Sequence, residues 1–397
     1  CVSAGMVTAI HYLGLEDCID VVYGSSAGSL IGAYFITRQL PWFGPEIYYD
    51  SLTTAGNRFI DPKRLLRAAG LGFFNPRLWY DNTFRSIGKP VLDLSYLLER
   101  TMQKKKILDW EKFVEMQKVQ PLKVVASGLK SEKAVVFDME NGGFSNMEEL
   151  GKCMHASMLL PGVSGPVVNM ERDAKKTKLS MAKRKSKKDN NDSLADALIY
   201  EPLPYRSAVT DGATHVIVLR TRADGTDVSG KSSVAERLIM KRFFIRKNKF
   251  PNIYKHIRMQ LHKKIYAEDI IKLNEASKSE RDYKDTSMPH LMPIALPPGS
   301  EEITRLETGR EAIFNGVRLG FARAYDALVE DPSERGKGMA VAKYCFPDEI
   351  LDYNPLDIDN KSKSAFGLYL DKKNTEGELI DFAKKVGKTA LERGTPR

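Results

Sequence analysis

The stretch Val21-Val22-Tyr23-Gly24-Ser25-Ser26-Ala27-Gly28-Ser29-Leu30-Ile31-Gly32-Ala33 constrains the fold more than any other part of the chain. An apolar, β-branched run over residues 19–23 stops at Gly24-Ser25-Ser26-Ala27-Gly28, and a run of small residues with helical character fills residues 29–37. Strand, tight turn and helix in that order form the frame of an α/β sheet. A serine at such a turn is held in a strained backbone conformation that lifts its hydroxyl above the sheet. A glycine two residues to either side gives strand and helix room to approach. Ser26 is therefore the candidate nucleophile, with Gly24, Ser25, Ala27 and Gly28 forming the elbow around it. The helix behind it would aim unpaired N–H groups, and the positive end of its dipole, at the place where an oxyanion forms.

Activating that serine needs a base. Hydrolase triads use histidine, and the chain has six: His11, His155, His215, His256, His262 and His290. His11 and His155 fall in helical patterns, His215 inside a strand, and His256 and His262 in a basic helix, so none occupies a loop suited to presenting a base. Among the carboxylates, Asp196 stands in Leu194-Ala195-Asp196-Ala197-Leu198, with Pro204 eight residues on and a strand pattern at residues 214–219. Asp211, in Asp211-Gly212-Ala213, is the rival.

Three separated blocks resemble the patatin-like phospholipases, lipid acyl hydrolases that work with a Ser/Asp dyad. Gly24-Ser25-Ser26-Ala27-Gly28-Ser29 is similar to the family's elbow. Met154-His155-Ala156-Ser157-Met158-Leu159-Leu160-Pro161 is similar to a helix end beside its site. Asp196 with Pro204 has the spacing of its aspartate segment. The resemblance spans about 220 residues and implies a three-layer α/β/α fold with a mainly parallel central sheet and a helical C-terminal extension. It also implies a Ser26/Asp196 dyad that cleaves fatty-acyl esters of glycerolipids without metal or organic cofactor. Ala197, Leu198 and Pro202 depart from the glycines and asparagine common in that segment, and Asp211 lacks the following proline. The family's glycine-rich oxyanion loop would lie immediately upstream of Cys1, so the chain as given is expected to lack some of its oxyanion donors. Acyl transfer to an alcohol, or a non-catalytic protein of membranes or lipid droplets that keeps the fold, are the alternatives.

Charge and aromatic content suggest where such a chain works. Net charge is +10 over 397 residues, and residues 237–264 carry ten Lys or Arg with no acid. Lys241, Arg242, Arg246, Lys247 and Lys249 are interleaved there with Phe243, Phe244 and Phe250. That composition suits an interfacial helix on an anionic membrane or lipid-droplet surface more than a nucleic-acid site. Pro251 is expected to divide the tract into two helices. A second basic segment, residues 170–194, has few large apolar residues and reads as a disordered insertion. Residues 42–84 hold ten aromatics, which suit an acyl-chain cleft or a membrane interface, with a turn at residues 70–76. No run approaches the roughly 18 apolar residues of a membrane span. Four dispersed cysteines lack metal-ligand spacing and indicate a reducing, cytosol-facing setting; the basic tract and the resemblance imply peripheral attachment to membranes or lipid droplets there.

Strands are expected at residues 19–23, 122–128, 133–138, 214–220 and 290–296, and helices at 147–158 and 303–328. The organisation that follows is a catalytic domain over residues 1–225, a basic helical region over 226–330 that completes it, and a charged extension over 331–397.

Overall fold

The computed structural model describes residues 1–40, 43–61, 90–173, 176–180, 191–228, 230, 234–247, 250–300, 303, 307–357, 359 and 363–376. Within them lie eight strands: β1 (Val22–Ser25), β2 (Leu122–Gly128), β3 (Lys133–Phe137), β4 (Val168–Asp173), β5 (Lys176–Ser180), β6 (Asn191–Ala195), β7 (His215–Leu219) and β8 (His290–Ile294). The principal helices are α1 (Val2–Tyr12), α2 (Ala27–Ile36), α3 (Met147–Met158), α4 (Tyr205–Thr210), α5 (Val234–Met240), α6 (Pro251–Arg258), α7 (Leu261–Ala276), α8 (Arg310–Leu328), α9 (Gly338–Cys345) and α10 (Ala365–Thr375). The class is α/β.

The main sheet is mixed, which corrects the expectation of a mainly parallel one. Its order is β1-β2-β6-β4-β5, with β3 also on β2, and only the β1–β2 pair is parallel. The cause is local. Short links join β2 to β3 and β4 to β5, and a short link can only return the chain antiparallel. β7 and β8 pair in parallel as a separate two-stranded sheet.

Residues 170–194 are the second correction. Strands β4, β5 and β6 occupy most of them, and residues 174–175 and 181–190 lie outside the described residues. Val168 and Met170 alternate inward on β4, and Leu179 of β5 packs against the same core. One apolar residue in two suffices for a half-buried strand, so the density of lysine did not prevent pairing.

The pairing registers place the ends of β1 and β6 together. β3 covers Val124–Gly128 along one edge of β2. Along the other edge β1 runs parallel as far as Ser25 opposite Val125, while β6 arrives antiparallel with Ala195 opposite Ser127. The next residue of each strand, Ser26 and Asp196, is thereby directed at the same point beside Ala126.

The C-terminal part contributes to the core. α1 crosses α8 so closely that a Cβ on Gly5 would lie 1.9 Å from the Val317 carbonyl oxygen, and one on Gly320 2.0 Å from that of Val2. Phe314, Phe321, Phe346 and Phe366 fill the space around that crossing, drawing Ala342, Ile350 and Tyr369 into one apolar cluster with α1. α8 begins at Arg310, later than expected, and residues 304–306 lie outside the described residues.

Candidate active site

Ser26 joins β1 to α2 with φ +50° and ψ −129°. That region is unfavourable for a residue with a Cβ and is characteristic of strained functional turns. Gly24 makes the turn sterically possible, since a Cβ there would fall 2.4 Å from Ser29 Cα. Gly28 has no such duty. A Cβ on it would meet open space, so the expectation that both glycines are needed for close approach holds at Gly24 alone.

Asp196 follows β6 and caps the turn Ala197–Ile199. Its Oδ1 accepts a hydrogen bond from Leu198 N at 2.9 Å, and its own N–H donates to Leu159 O at 3.0 Å. The carboxylate is 4% exposed, and the Ser26 hydroxyl donates to its other oxygen, Oδ2, at 3.4 Å. The distance is long for an O–H···O bond, as unliganded sites commonly are. Among the described residues Asp196 is the one carboxylate bonded to the Ser26 hydroxyl.

Asp211 has other work. Its Oδ2 accepts from Lys123 Nζ at 2.7 Å and from the Tyr23 hydroxyl at 2.5 Å. Partial burial opposes ionisation, yet those two donors hold its carboxyl below the ordinary range. It ties the end of α4 to β1 and β2. None of the histidines bonds to Ser26 either. His11 faces Glu16 at 3.2 Å, His215 stacks on His290, and His256 meets Ile199 O at 3.2 Å. His155 is buried on α3 and lowered to about 4 by desolvation, with Asp93 opposing.

Sequence reasoning passed over two serines at the elbow. Ser157 Oγ accepts the Ser26 N–H at 2.7 Å and donates to Val125 O at 2.5 Å. Ser29 directs both N and Oγ at Ser26 O, at 3.0 and 2.7 Å. The available signal was a small hydroxyl residue in an otherwise apolar helix end, and it does not distinguish a clamp from ordinary helix packing.

A cleft of about 1610 Å³ borders both Ser26 and Asp196. Its walls beyond Ser26 include Ile31, Phe35, Leu52, Phe59, Leu94 and Leu97. Typical small-ligand pockets run to about 300–1,000 Å³, so this cleft is larger than most. Of the aromatics expected to line such a cleft, Trp42, Phe73, Phe74, Trp79, Tyr80 and Phe84 lie outside the described residues, as does the turn expected at residues 70–76.

The basic tract differs from its expected form. Pro251 does begin a new helix, α6, and a further break follows at Gln260, whose φ is +57°. The aromatics expected to face lipid face inward. Phe243 is 3% and Phe244 0% exposed, and both pack with Leu159, Ala195, Ile199, Ile253 and Ile257, with Phe250 at the margin. The reason lies next to the dyad: Ala195 and Ile199 flank Asp196, and their apolar undersides have to be covered. Lys241 and Arg246 project into solvent and Arg242 is half-buried; Lys249 and the side chain of Lys247 lie outside the described residues.

No protein-family model matches the chain, and no curated protein matches it. Among the described residues there is no cluster of His, Cys, Asp and Glu able to hold a metal ion, and no helix long and apolar enough to cross a membrane.

Proposed function

We propose that this chain is a serine acyl hydrolase of the patatin-like type, acting on fatty-acyl esters of glycerolipids. The observation that carries the reading is the approach of Ser26 Oγ to Asp196 Oδ2 at 3.4 Å, made by residues 170 apart in the chain, at a serine held with positive φ. In the proposed reaction Asp196 accepts the hydroxyl proton while Ser26 Oγ attacks the ester carbonyl carbon. The tetrahedral oxyanion faces the first N–H groups of α2, where the helix dipole is positive. Collapse expels the glycerolipid alcohol, which takes the proton from Asp196 and leaves an acyl-Ser26. Water, deprotonated by Asp196, then releases the fatty acid and restores the hydroxyl. The apolar walls of the cleft accommodate the acyl chain. The solvent-facing cations of residues 237–264 are the proposed contact with an anionic membrane or lipid droplet, and the phenylalanines beneath them serve as a platform.

The test is fluorophosphonate labelling and fatty-acid release from a panel of phospholipids, galactolipids and triacylglycerols, with the full-length protein. Labelling at Ser26, and a drop of at least about 10³-fold in Ser26→Ala, are expected. Undiminished hydrolysis by Ser26→Ala would sink the mechanism, and a parent that neither labels nor hydrolyses points to the non-catalytic alternative.

A further inference from the structure

Ser157 stands at the end of α3, wholly buried between the elbow and the edge of β2. A hydroxyl carries one proton, so its two bonds have a fixed direction. It donates to Val125 O at 2.5 Å and must accept from Ser26 N at 2.7 Å. On the other side of the same residue, Ser26 O is held by Ser29 N and Oγ at 3.0 and 2.7 Å. Both peptide groups flanking the nucleophile are thus pinned, and a strained φ/ψ pair persists only where its surroundings over-determine it.

We propose that Ser157 is a positioning residue: it clamps Ser26 in the strained conformation that points Oγ at Asp196. The clamp also occupies the Ser26 N–H, so among the amides of the elbow those of Ala27 and Gly28, which begin α2 and have no acceptor within the helix, are the ones open to an oxyanion. Gly28 lines the cleft and has open space where a side chain would stand, so an incoming carbonyl reaches those amides without obstruction. The clamp is a statement about the fold; its effect on chemistry rests on the hydrolase reading. Its complete burial, with its proton committed to a backbone carbonyl, excludes Ser157 as a second nucleophile.

The experiment compares Ser157→Ala, Ser157→Cys and Ser157→Thr in the full-length protein by hydrogen exchange of peptides covering residues 22–29 and by the rate of fluorophosphonate labelling. Ser157→Cys keeps the volume and gives up the strong hydrogen bonds, so it separates bonding from packing. Ser157→Thr keeps the hydroxyl and should rescue. Expected are faster elbow exchange in Ala and Cys, labelling slowed at least tenfold, and, on a soluble ester, a loss in kcat with KM within twofold. Elbow exchange unchanged from the parent in Ala and Cys overturns the clamp. Faster exchange with undiminished labelling overturns its role in positioning. If the parent takes no label, the hydrolase reading fails and the exchange data alone decide the clamp.

Discussion

Two neighbouring regions hold their conformations by different means. Around Ser26 a few short hydrogen bonds, to Ser157 and Ser29, fix a backbone that the side chain alone would not adopt. Beneath the helices of residues 234–258, apolar bulk does the fixing: Phe243, Phe244, Ile253 and Ile257 press on Leu159, Ala195 and Ile199. The two meet at Asp196, which takes its direction from a backbone amide and its support from the phenylalanines. Hydrogen bonds set angles and apolar contacts set positions, and the dyad needs both. Losses at the first region should therefore appear in rate with stability kept, and losses at the second in stability first.

The sharpest break of that contrast is a pair of aspartates. Asp196→Asn should lower ester hydrolysis by about 10²–10⁴-fold, the range of a general base, with little change in thermal midpoint. Asp211→Asn, which loses surface-linked bonds to Lys123 and Tyr23, should leave the rate within a few-fold. Equal losses in the two variants would mean that the dyad assignment is wrong.

The elbow was legible because its chemistry is written in backbone demands. Gly24 has to lack a Cβ whatever the surroundings, and a strand run before it and a small-residue run after it leave few other folds. Asp196 was reached only through the resemblance of its segment to that of the patatin-like phospholipases, and in the structure it lies 3.4 Å from the Ser26 hydroxyl. The facing of Phe243 and Phe244 was hidden for a physical reason: phenylalanines between cations have the same composition whether the apolar face meets lipid or the underside of another loop. What decided it was β6 arriving beside them from a segment that looked too basic to form strands. Sheet direction was also hidden, since it follows from which strands share short links, and the sequence pattern of β2 and β3 is the same either way.

A second test sets apolar bulk against charge. Phe244→Ala should cost about 3–5 kcal/mol of stability, the usual range for a buried phenylalanine, and should lower activity through Asp196 as well. Lys241→Gln with Arg246→Gln should leave stability nearly unchanged and weaken co-sedimentation with anionic vesicles in a salt-sensitive manner, at about 1 kcal/mol per charge. A double charge variant that binds vesicles as the parent does would remove the membrane role from this face.

A further test concerns two buried titratable groups, Asp50 and His155, whose pH dependences oppose one another. Burial raises the Asp50 carboxyl to about 6, Glu46 adding to it while Lys106 and Arg310 oppose. Its folded pKa lies above its unfolded one, so its contribution to stability is full below about 4 and is lost as pH rises to about 6. His155, lowered to about 4, behaves in the opposite sense: its contribution is full above about 6.5 and is lost as pH falls toward 4. Each is worth roughly 3 kcal/mol and the two offset one another across the same window. Asp50→Asn should therefore show stability rising with pH between 4 and 6.5, and His155→Leu stability falling between 4 and 6, in urea midpoints taken at several pH values. Identical profiles in both variants and the parent would show that neither group is shifted.

The end-to-end meeting of β1 and β6 on one edge of β2 has a consequence for how such a chain tolerates change. The separation of Ser26 from Asp196 is set by pairing register on β2, with the Ser157 hydroxyl and the Leu159 carbonyl holding the residues at the two strand ends. Doubling the length of a flexible connection costs only about 0.6 kcal/mol. A slip of β6 by a single residue, about 3.3 Å, would turn the carboxylate to the other face of the sheet. Insertions in exposed connections are cheap, and insertions within these strands are not.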